Sequence, residues 1–134
     1  MTRDEQVKEV AKCFRSPAYF IGAYCQIYDA TIGEWISFAL WPEQKQTLLT
    51  ILNNLLVIIL KARQLGLTWL VLGFALWLML FRPAATVLLF SKRDDEAIYL
   101  LDERLKGMYE RLPDFLKIGL EVVADNDHEW ALNN

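Results

Sequence analysis

The chain has 134 residues, the length of one compact domain or of a piece of a larger one. Hydrophobic residues make up 54% and aromatic residues 13%, enough to bury a core and to exclude a disordered chain. Fourteen basic against seventeen acidic residues give a net charge of -3, which excludes a polycationic nucleic-acid binder but not a DNA-handling machine with its contacts elsewhere. Cys13 and Cys25 form no CxxC and have no companion ligands, so a disulfide framework and a zinc site are not expected. The sole histidine, His128, excludes any site that needs two and reads as a surface residue.

Residues 1 to 15 read as a short polar helix with Val7, Val10 and Phe14 on one face. Ser16-Pro17 breaks it, Ala18 to Tyr28 reads as an apolar helix, and Thr31-Ile32-Gly33 as a turn. Trp35 to Leu40 is a short extended segment closed by Trp41-Pro42. Pro42 suits the first position of a helix to about Asn54, with Leu48, Leu49, Leu52 and Leu55 as its buried stripe.

Val57-Ile58-Ile59-Leu60 reads as a strand apolar on both faces, as the middle of a parallel sheet requires. Leu67 to Phe81 is apolar almost all round and reads as a buried helix stopped by Arg82-Pro83. Thr86 to Phe90 is a second apolar strand. Ser91 opens a further helix, with Asp94 three residues on. That helix places Ala97, Leu101, Leu105, Met108 and Leu112 on its core face, and Asp95, Asp102, Glu103 and Lys106 on its solvated face. Leu112-Pro113 ends it, and strands are expected at Glu121-Val-Val and Glu129-Trp-Ala-Leu. Alternation of strands and helices predicts an α/β fold with a parallel sheet and right-handed crossovers.

Two apolar runs raise a membrane alternative, with spans near 47–60 and 65–81. No charge occurs from Leu65 through Phe81, but Gly66, Thr68 and Gly73 interrupt that run, and Asn53 and Asn54 interrupt the other. At seventeen residues it is at the short edge of a span, for which about 20 are usual. Residues 1–12 carry Asp4, Glu5 and Glu9 and no apolar signal-peptide core.

Residues 61 to 68, Lys-Ala-Arg-Gln-Leu-Gly-Leu-Thr, lie between a predicted buried strand and a predicted buried helix. There, successive backbone N–H groups and a helix N-terminus converge and favour an anion. Aligned on the phosphate-loop pattern GxxxxGK[ST], Gly66 matches the second glycine and Thr68 the magnesium-binding hydroxyl. Lys61 stands where the first glycine belongs and Leu67 where the lysine belongs. A flexible ammonium can still reach phosphate from the loop's start, and Arg63 offers a second cation with a planar fork. The bland alternative is an ordinary strand-to-helix loop with surface Lys61 and Arg63.

The run Leu60-Lys-Ala-Arg-Gln-Leu-Gly-Leu-Thr-Trp69 resembles the deviant Walker A motif of the large terminase subunits of tailed bacteriophages. Phe38-Ala-Leu-Trp-Pro-Glu-Gln44 resembles that family's adenine-recognition segment. The resemblance covers about residues 17 to 134 and is densest from 38 to 113. It implies residues 1–36 as a helical lead-in and 37–134 as the N-terminal portion of a P-loop ATPase domain. The implied fold is a P-loop NTPase-like parallel sheet flanked by helices, incomplete in this chain. It implies ATP and Mg2+ as cofactors, with Gln44 at the adenine and Lys61 as the phosphate lysine. Arg63, Gln64, Leu65, Gly66, Leu67 and Thr68 would wrap the phosphates, Ala62 would belong to the same nucleotide-binding set, Thr68 would hold the metal, and Arg63 would stabilise charge in catalysis. The implied partners are dsDNA, the portal protein, the small terminase subunit and further copies in a homo-oligomeric motor in the host cytoplasm, without a membrane.

The family's acidic Walker B pattern and nuclease carboxylates are not among these residues, so the expectation is a truncated product, a split subunit or an excised piece with negligible ATPase and no nuclease activity by itself. Three alternatives remain open at this stage. A helicase-like P-loop ATPase would carry Gly-Lys-Thr at 66–68, against Leu67. The others are the two-span membrane protein and a plain α/β binding module.

Overall fold

A computed structural model describes residues 1–58, 66–82, 85–90, 93–118, 120–126 and 128–133. Helix α1, Arg3–Arg15, starts at a capping box. The Thr2 hydroxyl accepts from the Glu5 N–H at 3.2 Å, while the Thr2 N–H donates to the Glu5 carboxylate at 3.2 Å. Ser16 then caps α2, Pro17–Tyr24, through the Tyr19 N–H at 3.1 Å, and Pro17 occupies its first turn. The inward line of α1 is Val10 and Cys13, not Val7, Val10 and Phe14 as the spacing suggested. Val7 and Phe14 remain exposed because α1 turns Val10 and Cys13 toward the core.

Ala18 to Tyr28 is not one helix. The chain leaves the helical region at Cys25, and β1, Gln26–Asp29, pairs antiparallel with β2, Glu34–Ser37. The turn expected at Thr31-Ile32-Gly33 closes this hairpin, with the Asp29 carboxylate accepting from the Thr31 N–H at 2.9 Å. Cross-strand pairing has overridden the helical pattern of residues 26–28.

Helix α3, Pro42–Asn53, begins at the proline as the sequence predicts. Its buried edge is narrower than expected, since Gln44 and Leu48 are buried while Leu49, Leu52 and Leu55 are exposed. Helix α4, Leu67–Phe81, is the central element. It packs against α2, α3 and a later π-helical turn, and buries Leu70, Leu72, Leu76 and Trp77. At Gly73 a Cβ atom would lie 3.1 Å from Ile21 Cδ1, so glycine allows α2 its close approach.

Residues 94–110 form one helical rod with a wider middle: α5, Asp94–Tyr99, a π-helical turn, Leu100–Leu105, and α6, Lys106–Glu110. Leu105, Met108 and Leu112 are buried, as the core stripe predicted. Lys106 ties the rod to the C-terminal hairpin through Asp125 at 2.6 Å, and bonds Asp102 of the rod itself at 2.6 Å. Burial opposes its charge, but the two carboxylates outweigh that and raise its pKa.

Strands β3, Val122–Asp125, and β4, Trp130–Leu132, pair antiparallel with each other across Asn126, whose carboxamide accepts from the N–H groups of His128 and Glu129. Their connection of four residues is far too short for a parallel crossover, which needs a dozen or more. Of the expected inner strands 57–60 and 86–90, residues 57–58 and 86–90 carry no regular secondary structure and pair with no strand among the described residues, and 59–60 lie outside them. Ile58 is 91%, Leu88 72% and Phe90 86% exposed, while Val57, Val87 and Leu89 are half-buried and Leu89 packs against the core. Among the described residues no helix is long and apolar enough to cross a membrane. Ser91, the expected cap, is outside them too, and α5 begins from Arg93.

Glu9 joins α1 to α2. Its carboxylate accepts from Tyr19 Oη at 2.6 Å and from Tyr24 Oη, and Lys12 lies 3.2 Å away. The Tyr19 and Tyr24 hydroxyls and the Lys12 ammonium hold its pKa down to about 2. A carboxyl depressed on folding contributes stability above its unfolded pKa and loses it as pH falls through the folded value. The contact is therefore expected to weaken between about pH 4.5 and about pH 2. Melting curves of Glu9→Gln should lack this acid-sensitive component and be less stable than wild type at pH 7. Identical pH profiles for the two proteins would contradict the assignment.

The candidate phosphate site

Gly66 is the N-cap of α4, with φ 69° and ψ 13°, in the left-handed region that glycine enters without strain. A Cβ there would also stand 2.8 Å from Gln44 Nε2. Glycine is therefore required twice, by dihedral and by space. Gln44 comes from the third position of α3 and is 5% exposed. Its Oε1 accepts from the Trp41 N–H at 2.8 Å, the return half of a capping box, which fixes the side chain against Gly66. Two residues that the sequence separates by twenty-two positions thus meet at the start of the buried helix.

The first N–H groups of α4 have no carbonyl one turn earlier within the helix, and the helix dipole places partial positive charge there. No acidic residue occupies this first turn. Leu67 is 8% exposed and belongs to the core. A lysine at that position would have to bury its ammonium among apolar side chains, so the phosphate-loop lysine could not stand at 67 in this fold.

Thr68 is half-buried and lines an open cleft with Asp95, Glu96, Tyr99, Leu100 and Arg104. The sequence reading took Asp95 as part of a solvated face and did not single out Arg104. Arg104 lies with its guanidinium carbon 4.9 Å from the Trp69 ring centroid and 5.4 Å from that of Tyr99. Such contacts contribute about 0.5–2 kcal/mol each. Tyr99 and Arg104 are five apart, which an α-helix would place on different faces. The π-helical turn brings them together, and no sequence period signals it.

Lys61, Ala62, Arg63, Gln64 and Leu65 lie outside the described residues. Of the predicted site, the structure brings Gln44 and Gly66 into contact, buries Leu67, and sets Thr68 in the cleft. The acids at the start of α5 are engaged locally: Asp94 with His128 at 3.0 Å, and Asp95 with Arg93 at 3.1 Å. Among the described residues no three of His, Cys, Asp and Glu gather as a metal-binding group. Cys13 and Cys25 are buried free thiols. Burial, then the Glu9 charge, pushes the Cys13 pKa up to about 12, and burial raises that of Cys25, so both stay protonated and unreactive. No family model matches the sequence, and no curated protein matches it.

Proposed function

We propose that this chain is the nucleotide-binding N-terminal part of a P-loop motor ATPase of the large-terminase kind, which packages viral dsDNA. The observation that carries the reading is Gly66, left-handed at the head of the buried helix α4 and sterically closed by Gln44. A backbone turn that excludes a Cβ, leading into a helix whose N-cap has no side chain and whose first turn has no acid, suits close wrapping of a phosphate. The burial of Leu67 supports a cation entering from elsewhere in the loop, and the resemblance assigns that role to Lys61.

On this reading Gln44 stands on the adenine side. Residues 63–68 embrace the phosphates through their N–H groups, and Arg63 adds charge stabilisation. The Thr68 hydroxyl, with phosphate oxygens and water, would hold Mg2+, which supplies charge neutralisation of the phosphates. The fold completes as a parallel sheet in which 57–60 and 86–90 are inner strands, and the exposure of Ile58, Leu88 and Phe90 is what such strands present before they are paired. The motor would act in the host cytoplasm with the portal protein, the small terminase subunit and further copies of itself.

Thermal unfolding with and without Mg·ATP tests the proposal. Nucleotide at about 100 Kd should stabilise the wild type by about 2.7 kcal/mol, and Lys61→Ala should abolish most of that gain while leaving the unliganded melt unchanged. A wild type that melts at the same temperature with and without saturating Mg·ATP would refute nucleotide binding.

A further inference from the structure

A cavity of about 490 Å3 lies apart from the candidate phosphate site. Part of its lining is one face of the last rod, Ala97, Ile98, Leu101 and Leu105, at helical spacing. Residues 85–90 and residues 129–132 also line it, and every residue of both runs does so. Side chains alternate from face to face along an extended chain. An unbroken run can therefore border one cavity only along its edge, where the main-chain N–H and C=O groups project. Residues 86–90 alternate in burial as a pleated strand does, with Val87 and Leu89 half-buried and Thr86, Leu88 and Phe90 exposed. Among the described residues they pair with no strand, and β4 pairs with β3 alone. Two strand edges thus border one apolar cavity, and the group that matches such edges is an extended peptide.

We infer that the occupant is residues 55–58 of a second copy of this chain, exchanged reciprocally so that two copies form a two-fold pair. No residue of 61–68 takes part, so the pair stands or falls separately from nucleotide binding. Leu55, Leu56, Val57 and Ile58 carry no charge, as an apolar cavity requires. Leu55, Leu56 and Ile58 are almost wholly exposed, so the segment does not enter the cavity of its own chain. It too pairs with no strand among the described residues. Four extended residues span about 13 Å, enough to run the length of the three-residue β4. Main-chain hydrogen bonds to the two edges would set the alignment. Leu56 and Ile58, two residues apart, share one face of the segment and would pack on the helical lining. Donor and acceptor lie on the same molecule, so two copies satisfy one another and the assembly closes at two.

Analytical ultracentrifugation of the 134-residue chain tests the pair. The wild type is expected to sediment as a reversible dimer. Ile58→Lys changes a side chain that is in water in the single chain, so circular dichroism should be unchanged. It should abolish the dimer, because an ammonium would have to enter an apolar cavity. Ala97→Phe fills the cavity from its helical side and should abolish the dimer too. An equimolar mixture of the two variants should recover a dimer, since one copy keeps its cavity and the other its segment. That dimer should be weaker than the wild type, with one exchange in place of two. Hydrogen exchange gives a readout without substitution: amides of 86–90 and of β4 should gain protection in the dimer and lose it on dilution. A monomeric wild type overturns the inference and leaves the cavity to a strand from another protein or to a small apolar ligand. A dimer that survives either substitution, a mixture of the two folded variants that stays monomeric, or a dimer without that protection overturns it as well. So does an open-ended series of larger species, which is unspecific adhesion of apolar surface.

Discussion

Replacing Trp77 by alanine is expected to lower stability by about 3–5 kcal/mol, the range for removing a large aromatic from a packed core. Trp77 is 1% exposed in the middle of α4. Phe74 stacks on it at 5.8 Å between centroids, and the Arg82 guanidinium sits 4.8 Å from its ring. Its indole Nε1–H donates to the Cys13 carbonyl at 2.8 Å. That carbonyl belongs to the last turn of α1, where no helical N–H remains to bond it. One side chain therefore fills the core and closes a helix end. A domain of this size is stable by only about 5–15 kcal/mol, so the alanine variant should melt some 10–20 °C lower. Trp77→Phe should retain most of the apolar contact and lose about 1–3 kcal/mol through the orphaned carbonyl. Urea unfolding of the three proteins measures both effects. An alanine variant within about 1 kcal/mol of wild type would mean that α1 is not docked on α4.

Gly66→Ala should impair both stability and nucleotide binding. A left-handed conformation costs an L-residue about 1–2 kcal/mol. The new methyl would meet Gln44 Nε2 at 2.8 Å, and Gln44 can withdraw only by giving up its bond to the Trp41 N–H. Loss of that cap adds about 1 kcal/mol. Gly66→Asn separates the two causes, because asparagine tolerates the dihedral but still carries a Cβ. It should fall between wild type and alanine. In a Gln44→Ala background the steric part of the alanine effect should disappear, leaving a coupling between the two sites that a double-mutant cycle measures. Under the nucleotide-binding proposal, the thermal shift with Mg·ATP should be lost in Gly66→Ala, since the amides around position 66 would no longer converge. Full retention of that shift would argue that phosphate is bound elsewhere.

The pattern of exposed apolar residues bears on handling. Leu55, Leu56 and Ile58 on one segment and Leu88 and Phe90 on another are exposed, in stretches without regular secondary structure. Such segments favour self-association, so poor solubility of this chain follows from its surface and need not indicate a lipid environment.

The sequence by itself determined the helices with strong local signals. Pro42 starts α3, Gly66 and Arg82 bracket α4, and the stripe of Leu105, Met108 and Leu112 marks the buried face of the last rod. These rest on capping groups, proline geometry and apolar period, all of which act within a few residues. The loop 61–68 was also legible as a candidate, through the types of its residues and their spacing. Tertiary structure decided the rest. Residues 26–28 became a strand because a partner lay across a short turn, and β3 paired with β4 because four residues cannot span a crossover. Gln44 went inside while Leu49 stayed out, because α3 lends α4 only one narrow edge, and a buried amide with a fixed acceptor role outcompetes a leucine facing away. The meeting of Gln44 with Gly66, and of Arg104 with Trp69, joins residues more than twenty positions apart. Such contacts depend on how packed elements cross, a property of the whole core that no local pattern of residues encodes.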